Sequence, residues 1–277
     1  MVASSIGSSK SSNGKYICYS VYGNNSLYTL GAIENAHIIN EIFPDWKARF
    51  YCYKNVDQTV IDTLKRLGAE VVIIYEKYRN IAETIAKCTF WRYYALADPA
   101  VKICMFRDAD SRIGYKEKYA VDQWLKCGQD FHLLYDHPQH TIEILGGMWG
   151  VKADILRNIK TLIRQYFNNN DVHYRYDRTY DQRFLKHKIF PLYLGCRAVP
   201  QHTYLAHGNL GECEYHRNAG IKITPYPRLP DSVPPFPNPV CGLNMPTFIG
   251  ETVLTPYWQL KVPRFTNHQI NQNSDEK

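Results

Sequence analysis

Lys102-Ile103-Cys104-Met105-Phe106-Arg107-Asp108-Ala109-Asp110 is the stretch on which the reading of this chain turns. An apolar strand from Lys102 to Phe106 runs directly into two acids separated by one small residue. In open parallel sheets, ligands sit beyond the carboxyl ends of the strands, so acids at this point stand where a site belongs. Two carboxylates spaced in this way can direct oxygens toward one hard cation, and Mg²⁺ or Mn²⁺ can bind phosphate oxygens at the same time. The bland alternative is a pair of capping or solvated loop acids. The strand before them and the flanking Arg107 and Arg112, which can pair with phosphate or orient the acids, weigh against it.

Outward from this segment the chain alternates between strands and helices. Tyr16 to Tyr22 reads as a strand, followed by a Gly23-Asn24-Asn25 turn and a helix with Leu30, Ile33, Ala36, Ile39 and Phe43 on its apolar face. Ala48 to Tyr53 and Val71 to Tyr75 read as further strands around a helix marked by Val56, Val60, Ile61, Leu64 and Leu67 and ended by Gly68. A helical stretch from Ile81 to Leu96 precedes the acidic strand. After it come a helix over Glu117 to Lys126, strands over Phe131 to Tyr135 and Gly147 to Val151, and a helix carrying Ile155, Leu156, Ile159, Leu162 and Ile163. The alternation predicts an α/β fold, with a single Rossmann-like, mostly parallel twisted sheet covered by helices on both faces. Periodicity fades beyond Asp181, and eight prolines between Pro225 and Pro246 predict a wrap or lid.

Composition limits the function classes. A net charge of +7 suits an anionic ligand, but the basic residues are scattered without a polybasic run, which favours a pocket ligand over nucleic acid. The 22 tyrosines offer stacking faces and hydroxyls suited to sugars and bases, although most are expected in core and surface packing. The eight cysteines form no CxxC pair and are expected to be reduced and mostly buried. The Ser- and Gly-rich start lacks the apolar stretch of a signal peptide, and no run of about 18 apolar residues occurs. The expectation is a cytoplasmic protein with no transmembrane segment: a flexible 1–14, one domain over 15–262 and a flexible tail over 263–277.

The segments Arg107 to Arg112, Tyr135-Asp136-His137-Pro138, Ile144-Leu145-Gly146-Gly147-Met148-Trp149-Gly150 and Asp181-Gln182-Arg183-Phe184-Leu185 together resemble the GT-A glycosyltransferases. The branch they resemble is found in bacterial polysaccharide loci and large DNA viruses of the chlorella type. The resemblance implies a nucleotide-binding half over 15–112, and an acceptor half and lid over 113–262. It implies a hexosyl- or pentosyltransferase with a nucleotide sugar donor, a UDP-sugar first, and a glycan or glycoconjugate acceptor. Ser20, Val21 and Tyr22 would contact the base and ribose, Arg92 the diphosphate, and Gly147, Met148 and Trp149 the sugar. Asp108 and Asp110 would hold Mn²⁺ or Mg²⁺ around Ala109, with His202 first and His207 second as a third ligand. Asp181, with Asp136 in reserve, would be the base of an inverting reaction or would hold a hydroxyl in a retaining one. Two other functions compete. A haloacid-dehalogenase-like phosphatase also uses Asp-x-Asp after a strand, but normally on its first strand, and a non-catalytic glycan-binding protein would keep the fold without transfer.

Overall fold

The computed structural model describes residues 13–78, 80–135, 140, 142–169, 179–195, 203–207 and 224–225. The expected proline-rich lid lies outside these residues apart from Pro225, as do Asp136, His202 and the tail.

Strands β1 (Lys15–Val21), β2 (Lys47–Tyr53), β3 (Glu70–Ile74) and β4 (Ile103–Arg107) alternate with helices α1 (Ser26–Ile42), α2 (Gln58–Arg66) and α3 (Ile81–Trp91). Then follow α4 (Tyr115–Cys127), β5 (Phe131–Tyr135), β6 (Met148–Lys152), α5 (Ile159–Asn169), α6 (Tyr180–Phe184), α7 (Phe190–Gly195), β7 (Thr203–His207) and β8 (Thr224–Pro225). Local chemistry sets the boundaries. Asn25 caps α1 by accepting from the Leu27 amide at 3.0 Å, and Asp57 caps α2 through the Thr59 amide at 2.8 Å. Gly68, at φ 80°, takes the left-handed turn that ends α2.

The strands form one sheet in the order β3-β2-β1-β4-β6-β5-β7-β8. Five of the seven pairings are parallel, so the sheet is mostly parallel, and β6 alone runs against both neighbours. Sequence periodicity reports a strand but not its direction, so the reversal at β6 was not foreseen. The expected helix over Ile81 to Leu96 also differs: it ends at Trp91 and tightens into a 3₁₀ turn over Arg92–Ala97.

Both faces of the sheet are covered. On one, Ile17, Tyr19, Val21, Phe50 and Met105 pack with α1, α2 and α4 through Ala36, Ile39, Leu64 and Trp124. On the other, Cys18, Tyr51, Cys104 and Phe106 pack with Phe90, Trp91, Leu96, Ile163 and Phe184 from α3, the 3₁₀ turn, α5 and α6. Strand alternation assigns the faces: Cys104 and Phe106 go one way, Ile103, Met105 and Arg107 the other. Of the cysteines whose side chains are described, Cys18, Cys52 and Cys104 are buried, Cys88 is half-buried, and none of the four is in a disulfide. Burial pushes the Cys52 thiol up to about 12, which keeps it protonated.

His132 of β5 is fully buried and stacks on Trp124, ring centroids 5.0 Å apart. Burial, reinforced by the positive charge of Arg107, holds its imidazole well below the usual range. The unfolded chain therefore takes up a proton below about pH 6.5 that the folded chain refuses. Stability is full above that pH and falls below it, by up to about 1.4 kcal/mol per pH unit from this one group. Between pH 7 and pH 5, chemical denaturation should give a clearly shallower loss of stability for His132→Phe than for the parent.

Candidate functional site

A cleft of about 610 Å³ opens at the carboxyl ends of β1 and β4, lined by residues that include Ser20, Tyr22, Asn25, Tyr28, Arg92, Asp108, Asp110, Gly146 and Asp181. This volume falls within the usual range for small-molecule sites. Strand alternation explains which predicted residues reach it. Ser20 and Tyr22 lie on the same side of β1, while Val21 between them is buried in the opposite layer, 1% exposed. Asp108 continues the Cys104, Phe106 side of β4 into the cleft.

Arg107 lies on the other side. Its guanidinium is buried, with Nε paired to Glu117 of α4 and Nη1 donating to the carbonyls of Phe106 (2.6 Å) and Trp149 (3.1 Å). It braces β4 against β6 and α4 and is not among the residues lining the cleft. Met148 is buried in the same layer, and Trp149 is fully buried against Phe106, ring centroids 4.5 Å apart. Both pack in the core rather than forming the floor of the cleft. Gly147 meets the site through its backbone: a Cβ there would come within 2.1 Å of Asp108 Oδ2, so only glycine lets the carboxylate sit where it does.

Arg92, at the start of the 3₁₀ turn, occupies the centre of the arrangement and is only 4% exposed. Its Nη1 donates to Asp108 Oδ1 and, at 3.0 Å, to the Arg107 carbonyl, while Nη2 donates to Asp181 Oδ2 at 2.9 Å. Its amide donates to Ser20 Oγ at 3.1 Å. Burial opposes the charge on Arg92, but Asp108, Tyr93 and Asp181 outweigh it, and the guanidinium stays protonated. Asp181, buried at the start of α6, also accepts from Tyr93 Oη at 3.1 Å and from the Gln182 amide at 2.9 Å. Burial holds its carboxyl above the usual range, partly countered by Arg92 and raised further by Asp108. A carboxylate offers about four acceptor positions, so three protein donors leave Asp181 about one for a ligand hydroxyl.

Asp108 and Asp110 are the acidic pair of the cleft, Asp108 half exposed and Asp110 half-buried. With Gly147 leaving room for Asp108, they present the hard oxygen donors that Mg²⁺ or Mn²⁺ takes, the remaining positions being open to phosphate and water. The described residues fit a metal held by two carboxylates, and no group of three or more His, Cys, Asp or Glu side chains suited to a metal occurs among them. The backbone of His207 pairs with Tyr135 across from β5, three strand positions from β4, or about 14 Å at the usual spacing. Tyr93, Asn25 and Tyr28 enter the site without having been singled out in the sequence. Tyr93 was detectable only through its position next to Arg92, and Asn25 and Tyr28 through the turn and helix after β1.

No protein-family model matches this sequence, and no curated protein does. Solved structures give partial likenesses. A mannosyltransferase from Pyrobaculum calidifontis, in complex with GDP-Man and Mn²⁺, is 11% identical over 53% of this chain and 46% of its own, at a TM-score of 0.38. A glycosyltransferase involved in the glycosylation of the major capsid of PBCV-1 is 13% identical over 69% and 80%, at 0.40. A 4-diphosphocytidyl-2C-methyl-D-erythritol synthase from Anaerococcus prevotii is 12% identical over 76% and 93%, at 0.41. The chain thus spans about half the length of the first of these and most of the other two.

The Arg92 bridge sets a stability test. Removing one partner of a buried ion pair leaves the other charge uncompensated, a loss of about 3 to 5 kcal/mol. Arg92→Met should lose that much in urea denaturation. Adding Asp181→Asn should recover a good part of it, because the stranded charge is then gone.

Proposed function

We propose that this chain is a metal-dependent glycosyltransferase of the GT-A type, moving a sugar from a nucleoside diphosphate sugar to a glycan hydroxyl. The observation that carries the reading is the cleft itself, which Asp108 and Asp110 at the end of β4 line together with Tyr22, Asn25 and Tyr28 beyond β1. Such a cleft suits a nucleotide whose diphosphate lies between an aromatic and amide wall and an acidic metal site. Asp108 and Asp110 would hold Mn²⁺ or Mg²⁺, which when bound neutralises the charge of a departing nucleoside diphosphate. Tyr22 and Tyr28 offer rings and hydroxyls to base and ribose, with uridine the first base to test. The Asp-x-Asp stands on the fourth strand in chain order, which speaks against the dehalogenase-type phosphatase. No helix among the described residues is long and apolar enough to cross a membrane, and a cytoplasmic site of action belongs to the proposal.

The hydrogen bonds of Asp181 favour one of its two candidate roles. A general base needs a lone pair facing the proton it removes and room to become neutral. Asp181 is 3% exposed and receives three protein donors. We assign it the holding role: it fixes Arg92 and Tyr93 and accepts one sugar hydroxyl at the floor of the cleft beside Gly146. Asp136 and a third metal ligand, His202 before His207, remain part of the proposal from the sequence.

Nucleoside diphosphate release should be screened over a panel of nucleotide sugars with and without Mn²⁺, with para-nitrophenyl phosphate as the phosphatase arm. Mn²⁺-dependent release from at least one donor is expected, with Asp110→Ala lowering it by about 10²-fold or more while the circular dichroism spectrum is kept. Phosphate ester hydrolysis without donor turnover would replace the reading by the phosphatase. For Asp181→Asn, transfer should fall while the pH–rate profile keeps its shape; loss of the acidic limb would make Asp181 the base after all.

A further inference from the structure

The turn that carries Asp108 and Asp110 is braced by a face of α1 whose residues do not line the cleft. Three residues of α1, Gly31, Glu34 and Asn35, fall at i, i+3 and i+4 and so share one helical face. Each meets the turn. Gly31 lies so close to the Ala109 carbonyl that a Cβ would come within 1.9 Å of the oxygen and 3.0 Å of the carbon. Asn35, fully buried, donates Nδ2 to the Ser111 carbonyl at 2.7 Å and accepts from the Ile113 amide at 3.2 Å. Glu34 pairs through Oε2 with Arg112 Nε at 2.8 Å, and Arg112 Nη1 donates to the carbonyls of Ala109 (3.1 Å) and Ser111 (2.9 Å).

The turn is also closed on itself by Ser111, whose amide and hydroxyl both reach the Asp108 carbonyl, at 3.4 and 3.0 Å. The carbonyls of Ala109 and Ser111, on either side of Asp110, are thus both referred to α1. The same helix lines the cleft with Tyr28 one turn earlier, and its cap Asn25 lies there too, so the acidic turn is braced by an element that also lines the cleft.

We propose that Gly31, Glu34 and Asn35 are positioning residues for the metal: they set the backbone of the Asp-x-Asp turn so that the Asp108 and Asp110 carboxylates converge on one cation. This rests on the metal-dependent reading given above. The groups that fix a metal-binding side chain in place commonly change metal affinity by about 10- to 100-fold when removed.

The test is direct Mn²⁺ binding by the full chain, read from the electron paramagnetic resonance signal of free Mn²⁺, in separate arms without nucleotide, with UDP and with GDP. Gly31→Ala, which must push the Ala109 carbonyl aside, should weaken Mn²⁺ binding about tenfold or more. Glu34→Ala, at a half-buried helix position that tolerates alanine, should weaken it severalfold in the same direction. Ile39→Val serves as the packing control: it is buried on the same helix about two turns past Gly31, and should lower the melting temperature without changing Mn²⁺ affinity. Unaltered Mn²⁺ affinity in folded Gly31→Ala overturns the bracing role, and if that variant does not fold, unaltered affinity in Glu34→Ala does so. An equal weakening in Ile39→Val also overturns it, since affinity would then follow stability alone. No Mn²⁺ binding by the parent chain in any arm removes the metal reading itself, and the brace with it.

Discussion

A single buried guanidinium holds the site together. Arg92 is sequestered from water and spans two carboxylates from distant parts of the chain, Asp108 after β4 and Asp181 at the start of α6. A charge in that position is tolerable only because it is paired and hydrogen-bonded on several sides, and each acid beside it depends on it in turn. Replacing Arg92 with a neutral group leaves the buried Asp181 without its counter-charge. The trio therefore ties the end of α3, the start of α6 and the exit of β4 to one another at the cleft.

Arg92 and Tyr93 open the 3₁₀ turn that continues α3, and from there both side chains reach the Asp181 carboxylate. Tyr93 then spends its hydroxyl on Asp181 and the Gly146 carbonyl, the latter at 3.2 Å, tying the segment before β6 to the helical layer. Glycines at 146 and 147 permit this crowding, since a Cβ at Gly146 would sit 2.7 Å from Asp181 Oδ2.

Much of the scaffold was legible in the sequence because buried parallel strands read as apolar runs and the helices between them carry caps and glycine stops. The end of β4 could be recognised as the site for the same reason. Sidedness was equally available, since the period of two separates Asp108 from Arg107 and Ser20 from Val21, but a list of polar residues near a motif ignores it. What the sequence could not yield were relations between residues far apart along the chain. Nothing local marks Arg92 as the partner of Asp181, Glu117 as the partner of Arg107, or Gly31 as the neighbour of Ala109. The end of α3 at Trp91 was hidden as well, because the 3₁₀ continuation keeps the apolar spacing of a helix.

The reversed strand β6 bears on how the molecule can be divided. It enters at the end of β4 where Arg107 faces Met148 and runs back beside β4 to Lys152, opposite Ile103, so the centre of the sheet is a seam between the earlier and later parts of the chain. Severing the chain after Arg112 would strip β4 of this neighbour and lay bare a row of unpaired amides and carbonyls beside Phe106 and Met105. An open apolar edge of that kind recruits any passing strand. The stretches before and after Arg112 are thus separable as sequence but not as folding units, and exchange of one of them between related proteins has to preserve the pairing along this seam.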